Sequence, residues 1–126
     1  MALNVVLAGN LIVTDDATGT LNLNKILSAA FAGSLSTLGE AVSIGASPTT
    51  LVLPKSPTQV VYIKNLHATQ TLTVTWTPNG GGSAVVQTLQ PLGFLLLLNS
   101  NTTSGITALS VQASGAATPI DYFLAG

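Results

Sequence analysis

The sequence has little charge and no cysteine. Its 126 residues include three lysines, no arginine, four acidic residues and one histidine, for a formal net charge of −1. The absence of cysteine excludes disulfides and thiolate metal sites. Phosphate groups are bound by clustered Lys and Arg, so this composition argues against a nucleic acid partner and against an anionic membrane surface.

The sequence also lacks a long apolar segment. Its longest unbroken apolar run is residues 94–98, whereas a membrane-spanning helix needs roughly 20 such residues. The first residues carry no basic group, and Asn10 and the pair Asp15 and Asp16 follow too soon for a signal peptide. We therefore expect neither membrane insertion nor a secretory signal.

Residues able to do acid-base chemistry are scarce. His67 stands in a predicted turn with no Asp, Glu or second His at metal-ligand spacing. Asp15 and Asp16 form the only acidic pair, which we interpret as part of a turn or cap. Glu40 and Asp121 are isolated. The sequence thus predicts a protein without catalytic residues, metal or cofactor.

The glycine-rich residues 80–83 could suggest a phosphate-binding loop. That motif requires a Lys followed by Ser or Thr after its second glycine, and then a helix. Neither follows here. Because Asn79 and Gly80 supply the positive φ angles of tight turns, we predict a hairpin turn at this position.

What the chain does have is a large apolar content. Hydrophobic residues make up 47% of it and charged residues 6%, with a mean hydropathy of +0.58. An average soluble domain carries about a quarter charged residues. A monomer would gain solubility from interspersed charges. The composition therefore indicates a surface that is covered in large part by other subunits.

Alternating apolar and polar residues predict β-strands over the second part of the chain. In residues 71–77, Leu72, Val74 and Trp76 alternate with threonines, so these three are the predicted core residues of that strand. Residues 67–70 are expected to form a hairpin between this strand and the one before it. The predicted strands are 59–66, 71–77, 84–89, 94–98, 106–113 and 120–124. Short strands at this spacing predict an antiparallel β-sandwich with a jelly-roll-like fold.

The N-terminal part is less regular. Residues 4–7 and 11–14 are predicted to form a hairpin about Ala8, Gly9 and Asn10. Residues 25–38 fit a strand pair or one helix; strands are favoured because Gly33 interrupts the stretch. Residues 42–44 and 50–53 are predicted edge strands. We expect one domain over 1–126, with N-terminal strands or an arm in 1–55 and the core strands of the sandwich in 56–126.

Residues 92–98 are apolar on both faces of their predicted strand, so both faces must be covered. A subunit interface is the favoured explanation, and an internal strand covered by the N-terminal region is the alternative. The candidate interface residues are Leu92, Phe94, Leu95, Leu96, Leu97 and Leu98. A separate possibility is a sugar-stacking platform made by Trp76, Tyr62 and Tyr122, although Trp76 fits the core better.

Several segments resemble small virion structural proteins of tailed bacteriophages. They are residues 60–66, 72–76, 89–93, 105–113 and 122–126, together with 7–13 at the N-terminus. The resemblance lies in the style of strands and turns over most of the chain. It implies a jelly-roll-like sandwich in the particle and carries no catalytic residues.

From composition and resemblance together we expect a bacteriophage capsid decoration (cement) protein. Its expected partners are copies of itself, with a trimer favoured, and the major capsid protein or another virion protein. Strand edges and the loops at 79–83 and 99–104 would contact neighbours. The alternatives are a tail, neck or fibre-base component of the virion, and a carbohydrate-binding β-sandwich module.

Overall fold

A computed structural model describes residues 3–14, 21–33, 35–99 and 104–126. These residues form ten β-strands and contain no helix, and so no helix that could cross a membrane. The strands are β1 (Leu3–Thr14), β2 (Leu21–Gly33), β3 (Ser36–Ile44), β4 (Thr49–Thr50), β5 (Val60–Asn65), β6 (Leu72–Pro78), β7 (Val85–Leu89), β8 (Phe94–Leu98), β9 (Ile106–Ala113) and β10 (Thr118–Ala125).

The last eight strands form two antiparallel sheets with the strand order of a jelly roll. One sheet has the order β3-β10-β5-β8 and is called sheet B here; the other has the order β4-β9-β6-β7 and is called sheet C. Most connections cross from one sheet to the other, as the two Greek keys of a jelly roll require. The predicted fold class, an antiparallel jelly-roll-like β-sandwich, is confirmed.

The sandwich begins within the N-terminal region. Strand β3 pairs with β10 at one edge of sheet B, and β4 pairs with β9 at one edge of sheet C. Residues 42–44 and 50–53 were predicted as edge strands, and β3 and β4 occupy those edges. The strands of the sandwich therefore extend back to Ser36, well before residue 56.

Strands β1 and β2 form a separate two-stranded ribbon. β1 is continuous from Leu3 to Thr14 and pairs with β2 along that length, from Leu3 opposite Gly33 to Thr14 opposite Leu21. The prediction of a hairpin about Ala8, Gly9 and Asn10 was therefore wrong, because a longer partner strand is available to β1. The preference for strands over a helix was correct, and β2 ends at Gly33.

The prediction of a hairpin at 67–70 was also wrong. Strand β5 pairs with β10 and β8 in sheet B, whereas β6 pairs with β9 and β7 in sheet C, so residues 66–71 cross between the sheets. The buried Asn65 side chain organises this crossing. Its Nδ2 donates to the carbonyls of Gln70 (2.8 Å) and Gln90 (3.2 Å), and its Oδ1 accepts from the His67 amide (3.0 Å).

The core lies between the two sheets and is built from the inward residues of both. Leu72 and Val74 are fully buried in it, and Trp76 is half-buried and packs against it. Its buried members are Ile44, Leu51, Val61, Ile63, Leu72, Val74, Leu89, Ile106, Leu109, Val111, Ile120 and Leu124. Burying a side chain of this size stabilises the fold by about 1.5–3 kcal/mol.

Candidate functional site

The titratable residues within the described ranges do not gather into a site. No group of three or more His, Asp or Glu residues among them could hold a metal ion. His67 Nδ1 accepts the backbone N–H groups of Thr69 and Gln70, both at 3.0 Å, and so shapes the turn. Asp121 Oδ1 accepts the Ala41 amide at 2.8 Å. Asp15 and Asp16 lie outside the described residues.

The three aromatic residues considered for sugar stacking do not share a surface. Trp76 and Tyr122 both pack against the core between the sheets. Tyr62 faces the outside of sheet B, where its ring centroid is 6.2 Å from that of Phe94 at an interplanar angle of 40°. Because the core and the outer face lie on opposite sides of sheet B, these rings form no common platform.

Strand β8 is one of the two edge strands of sheet B and pairs only with β5 among the described residues. Leu95 and Leu97 point inward and pack against the core. Phe94, Leu96 and Leu98 lie on the outward side, where Phe94 is 63% exposed. The structure thus covers one face of this strand with its own chain and leaves much of the other face open.

Leu92 belongs to a turn and not to the strand. The Gly93 amide donates to the Gln90 carbonyl at 2.9 Å, which closes a four-residue turn with Pro91 in its second position. Leu92 occupies the third position with φ +61° and is largely exposed. Glycine or asparagine is usual at a positive φ in such a turn. The structure therefore places an apolar side chain in solvent on a left-handed backbone.

The outward residues of β8 continue into an apolar surface across all four strands of sheet B. The strand register places Leu96 opposite Tyr62, Tyr62 opposite Phe123, and Phe123 opposite Leu38. A second row contains Leu98, Val60 and Ala125. We call this surface the outer apolar face; its members are Leu38, Val60, Tyr62, Phe94, Leu96, Leu98, Phe123 and Ala125.

Exposure differs along the outer apolar face. Leu38 is 66% exposed, whereas Val60, between its neighbours Leu98 and Phe123, is only 2% exposed. Partners in register on one face of a sheet stabilise each other by roughly 0.2–1 kcal/mol per pair. The centre of the face is thus already packed, and its most exposed residues lie on the edge strands β3 and β8.

A groove of about 290 Å³ opens on this face. It is lined almost wholly by apolar side chains, and one of them, Val6, comes from β1 of the ribbon. Val6 is itself 61% exposed. The lining residues are Val6, Val60, Tyr62, Phe94, Leu96, Leu98 and Phe123. The ribbon therefore borders the outer apolar face without filling the groove.

A second cavity, of about 380 Å³, adjoins Trp76, Gln59 and Asn99 near one end of the sandwich. Among the described residues, every buried side-chain nitrogen or oxygen has a hydrogen-bond partner. No buried polar group is therefore left over to bind a ligand there. The predicted contact loop at 99–104 falls largely outside the described residues.

Sequence reasoning identified the strand at 94–98 but did not place Leu38, Val60, Tyr62 and Phe123 on one surface with it. A signal for two of them was present. Val60 precedes Val61, and Phe123 precedes Leu124, so both strands carry an apolar residue on each face.

Comparison of the chain with protein-family models, curated proteins and solved structures finds no match.

Proposed function

We propose that the chain is a non-enzymatic virion structural protein, a bacteriophage capsid decoration protein that acts as a homo-oligomer, with three copies favoured. The observation that carries the proposal is the outer apolar face of sheet B. Contiguous apolar surfaces of this kind mark places where another protein binds.

The energetics favour covering this face. Leu38 and Phe94 are each more than half exposed. Burying a Leu or Phe side chain completely is worth about 1.5–3 kcal/mol. With only 6% charged residues in the chain, little electrostatic repulsion opposes association of copies. Weak contacts of this type, repeated over many copies on a capsid, add up through avidity.

The fold is compatible with this function without being specific for it. Jelly rolls occur in viral capsid proteins and also in lectins and cupins, and a fold by itself does not determine a function. The resemblance of residues 60–66, 72–76 and 105–113 to small virion proteins of tailed bacteriophages supports the first of these classes.

Immunogold electron microscopy tests the proposal. An antibody raised against the purified chain is applied to particles of the phage that encodes it. Label spread over the head surface is the expected result. Label confined to the neck, the tail or the fibre base would instead support the tail-component alternative, and particles without label would overturn a role in the virion.

A further inference from the structure

The ribbon of β1 and β2 is longer than the sheet beside which it starts. Within the described residues β1 and β2 pair only with each other. The hydrogen bonds between Leu35 and Gly126 hold the chain after β2 next to the end of β10. β1 has 12 residues, whereas the strands of sheet B have 5 to 9, lengths of about 40 Å against about 17–30 Å at the usual rise per residue. The ribbon is therefore longer than any strand of its own sheet B.

Such a ribbon needs a covering surface. An isolated two-stranded ribbon is marginally stable in water. Its register places apolar residues of the two strands opposite one another, which favours cross-strand pairing. Such pairs are Val5 with Phe31, Leu7 with Ala29 and Val13 with Leu23, whereas Leu11 lies opposite Lys25. Lys25 is the only charged residue in either strand.

We propose that the ribbon of one copy lies on the outer apolar face of a neighbouring copy. The inference rests on the self-assembly proposed above and names the two surfaces that meet. The ribbon pairs with no other strand within the described residues, and the outer apolar face is exposed on its two edge strands, at Leu38 and Phe94. A contact between two different surfaces closes into a ring when the rotation between copies permits it.

The surface area that the contact would bury indicates that each copy both donates a ribbon and receives one. A ribbon about 40 Å long and about 10 Å wide covers about 400 Å² of the sheet and loses the same area itself. One such contact buries about 800 Å², which is less than the roughly 1,200 Å² of the smaller stable interfaces. Two copies that exchange ribbons bury about 1,600 Å² in one interface, whereas a ring of three has three interfaces of about 800 Å² each, about 2,400 Å² in all. Each copy therefore gives a ribbon and receives one.

Cross-linking of mixed variants tests the contact directly, because the natural chain has no cysteine. Full-length Leu11→Cys and Leu38→Cys chains of different tag size are mixed, dissociated, reassembled and treated with a short bismaleimide. We expect a cross-linked pair containing one chain of each kind. The control replaces Leu38→Cys by Val86→Cys, which is similarly exposed (64%) but lies on β7 of sheet C. No mixed pair is expected there.

The other outcomes overturn the proposal. Mixed pairs that form equally well with Val86→Cys would show that the ribbon has no preference for sheet B. Absence of mixed pairs would exclude the contact. A cross-link that forms only within a chain carrying both Leu11→Cys and Leu38→Cys would show that each ribbon covers its own sheet.

Light scattering after size exclusion gives an independent test. Leu38→Lys is expected to reduce an oligomer of the natural chain to a monomer, whereas Val86→Lys should leave the mass unchanged. A Leu38→Lys chain that keeps its oligomeric mass would contradict the proposal. If the antibody labels phage heads but the natural chain is a monomer in solution, the ribbon exchange is overturned and the decoration function is retained. If the mixed cross-link forms but no particle is labelled, the decoration function is overturned and the ribbon exchange is retained.

Discussion

At the scale of single residues, a buried amide and a glycine determine how the chain passes between its two sheets. Asn65 is completely buried and uses both its amide nitrogen and its oxygen in hydrogen bonds to the backbone. Buried polar groups with all partners in place specify one arrangement of the chain, because every alternative leaves some of them unpaired. The crossing after β5 depends on this side chain.

Asn65→Ala is expected to lower the free energy of unfolding by about 2 kcal/mol, because the variant removes the hydrogen bonds of this side chain to the Gln70 carbonyl and the His67 amide, while the Gln90 carbonyl keeps the Gly93 amide. Asn65→Asp should cost more, about 3 kcal/mol or above, since it places a carboxylate beside the carbonyls of Gln70 and Gln90. Urea denaturation measures both values. Gln87→Ala, which removes an exposed side chain bonded only to Thr88 O, is the control and should change stability by less than about 0.5 kcal/mol.

Gly105 lies where two backbone segments meet. Its φ is +134°, and a Cβ built on it would overlap the carbonyl oxygen of Thr58. Gly105→Ala is therefore expected to destabilise the fold by about 3 kcal/mol or more, from backbone strain and from the overlap together.

Two other glycines separate these causes. Gly81 also has a positive φ (+81°), but a Cβ there meets nothing within 4 Å. Gly81→Ala should thus show the strain alone, about 1–2 kcal/mol. Gly45 has open space and no positive φ, so Gly45→Ala should be nearly neutral. Equal thermal stability of the Gly105 and Gly81 variants would refute the role assigned to the Thr58 contact.

At the scale of elements, strand β8 contributes side chains both to the core and to the outer apolar face. Leu95 and Leu97 complete the core, while Phe94, Leu96 and Leu98 belong to the outer apolar face. Sequence reasoning required both faces of this strand to be covered. The structure covers the inner face within the chain and leaves Phe94 largely exposed, so the two faces must respond differently to truncation.

In a monomeric background such as Leu38→Lys, Leu97→Ala is expected to lower the free energy of unfolding by about 2 kcal/mol. This value is at the lower end for core leucines because Leu97 is only half-buried. Phe94→Ala should cost less than about 1 kcal/mol in the same background, since its ring is mostly in solvent. In the natural chain the proposed oligomer predicts a larger loss of stability for Phe94→Ala, because contacts between copies would then add to stability. An equal cost in both backgrounds would exclude Phe94 from an interface.

The two connections on either side of β6 show when the local sequence is sufficient to predict which strands a connection joins. Residues 79–83 were predicted as a hairpin turn, and β6 does pair with β7, with Gly80 and Gly81 at positive φ. Residues 67–70 also looked like a hairpin but connect different sheets. Glycine geometry acts within a few residues, whereas the crossing depends on Asn65, Gln70 and Gln90, which only the tertiary fold brings together.

At the scale of the whole molecule, the paucity of charge leads to a prediction about assembly. With three lysines and four acidic residues in 126, association must come mainly from burial of apolar surface. Ionic strength screens charges but does not weaken apolar contacts, and sulfate strengthens them.

We therefore expect the proposed oligomer to persist in about 1 M NaCl, where charge interactions are screened beyond about 3 Å, and to gain stability in sodium sulfate. Sedimentation velocity at several protein concentrations measures this. The midpoint of thermal unfolding should also rise with protein concentration. Dissociation in salt would point to ion pairs between copies and would contradict assembly through the outer apolar face.

The sequence by itself determined the six sandwich strands between residues 59 and 124 and their antiparallel class, but not that β3 and β4 complete the two sheets. Alternation of side chains acts between neighbouring residues and is therefore visible in the chain, as in residues 71–77. It also indicated that residues 94–98 need cover on two faces. Only the tertiary structure decided which strands pair, since register depends on residues far apart in the chain. The outer apolar face exists because four separate strands align Leu38, Phe123, Tyr62 and Leu96 in one row.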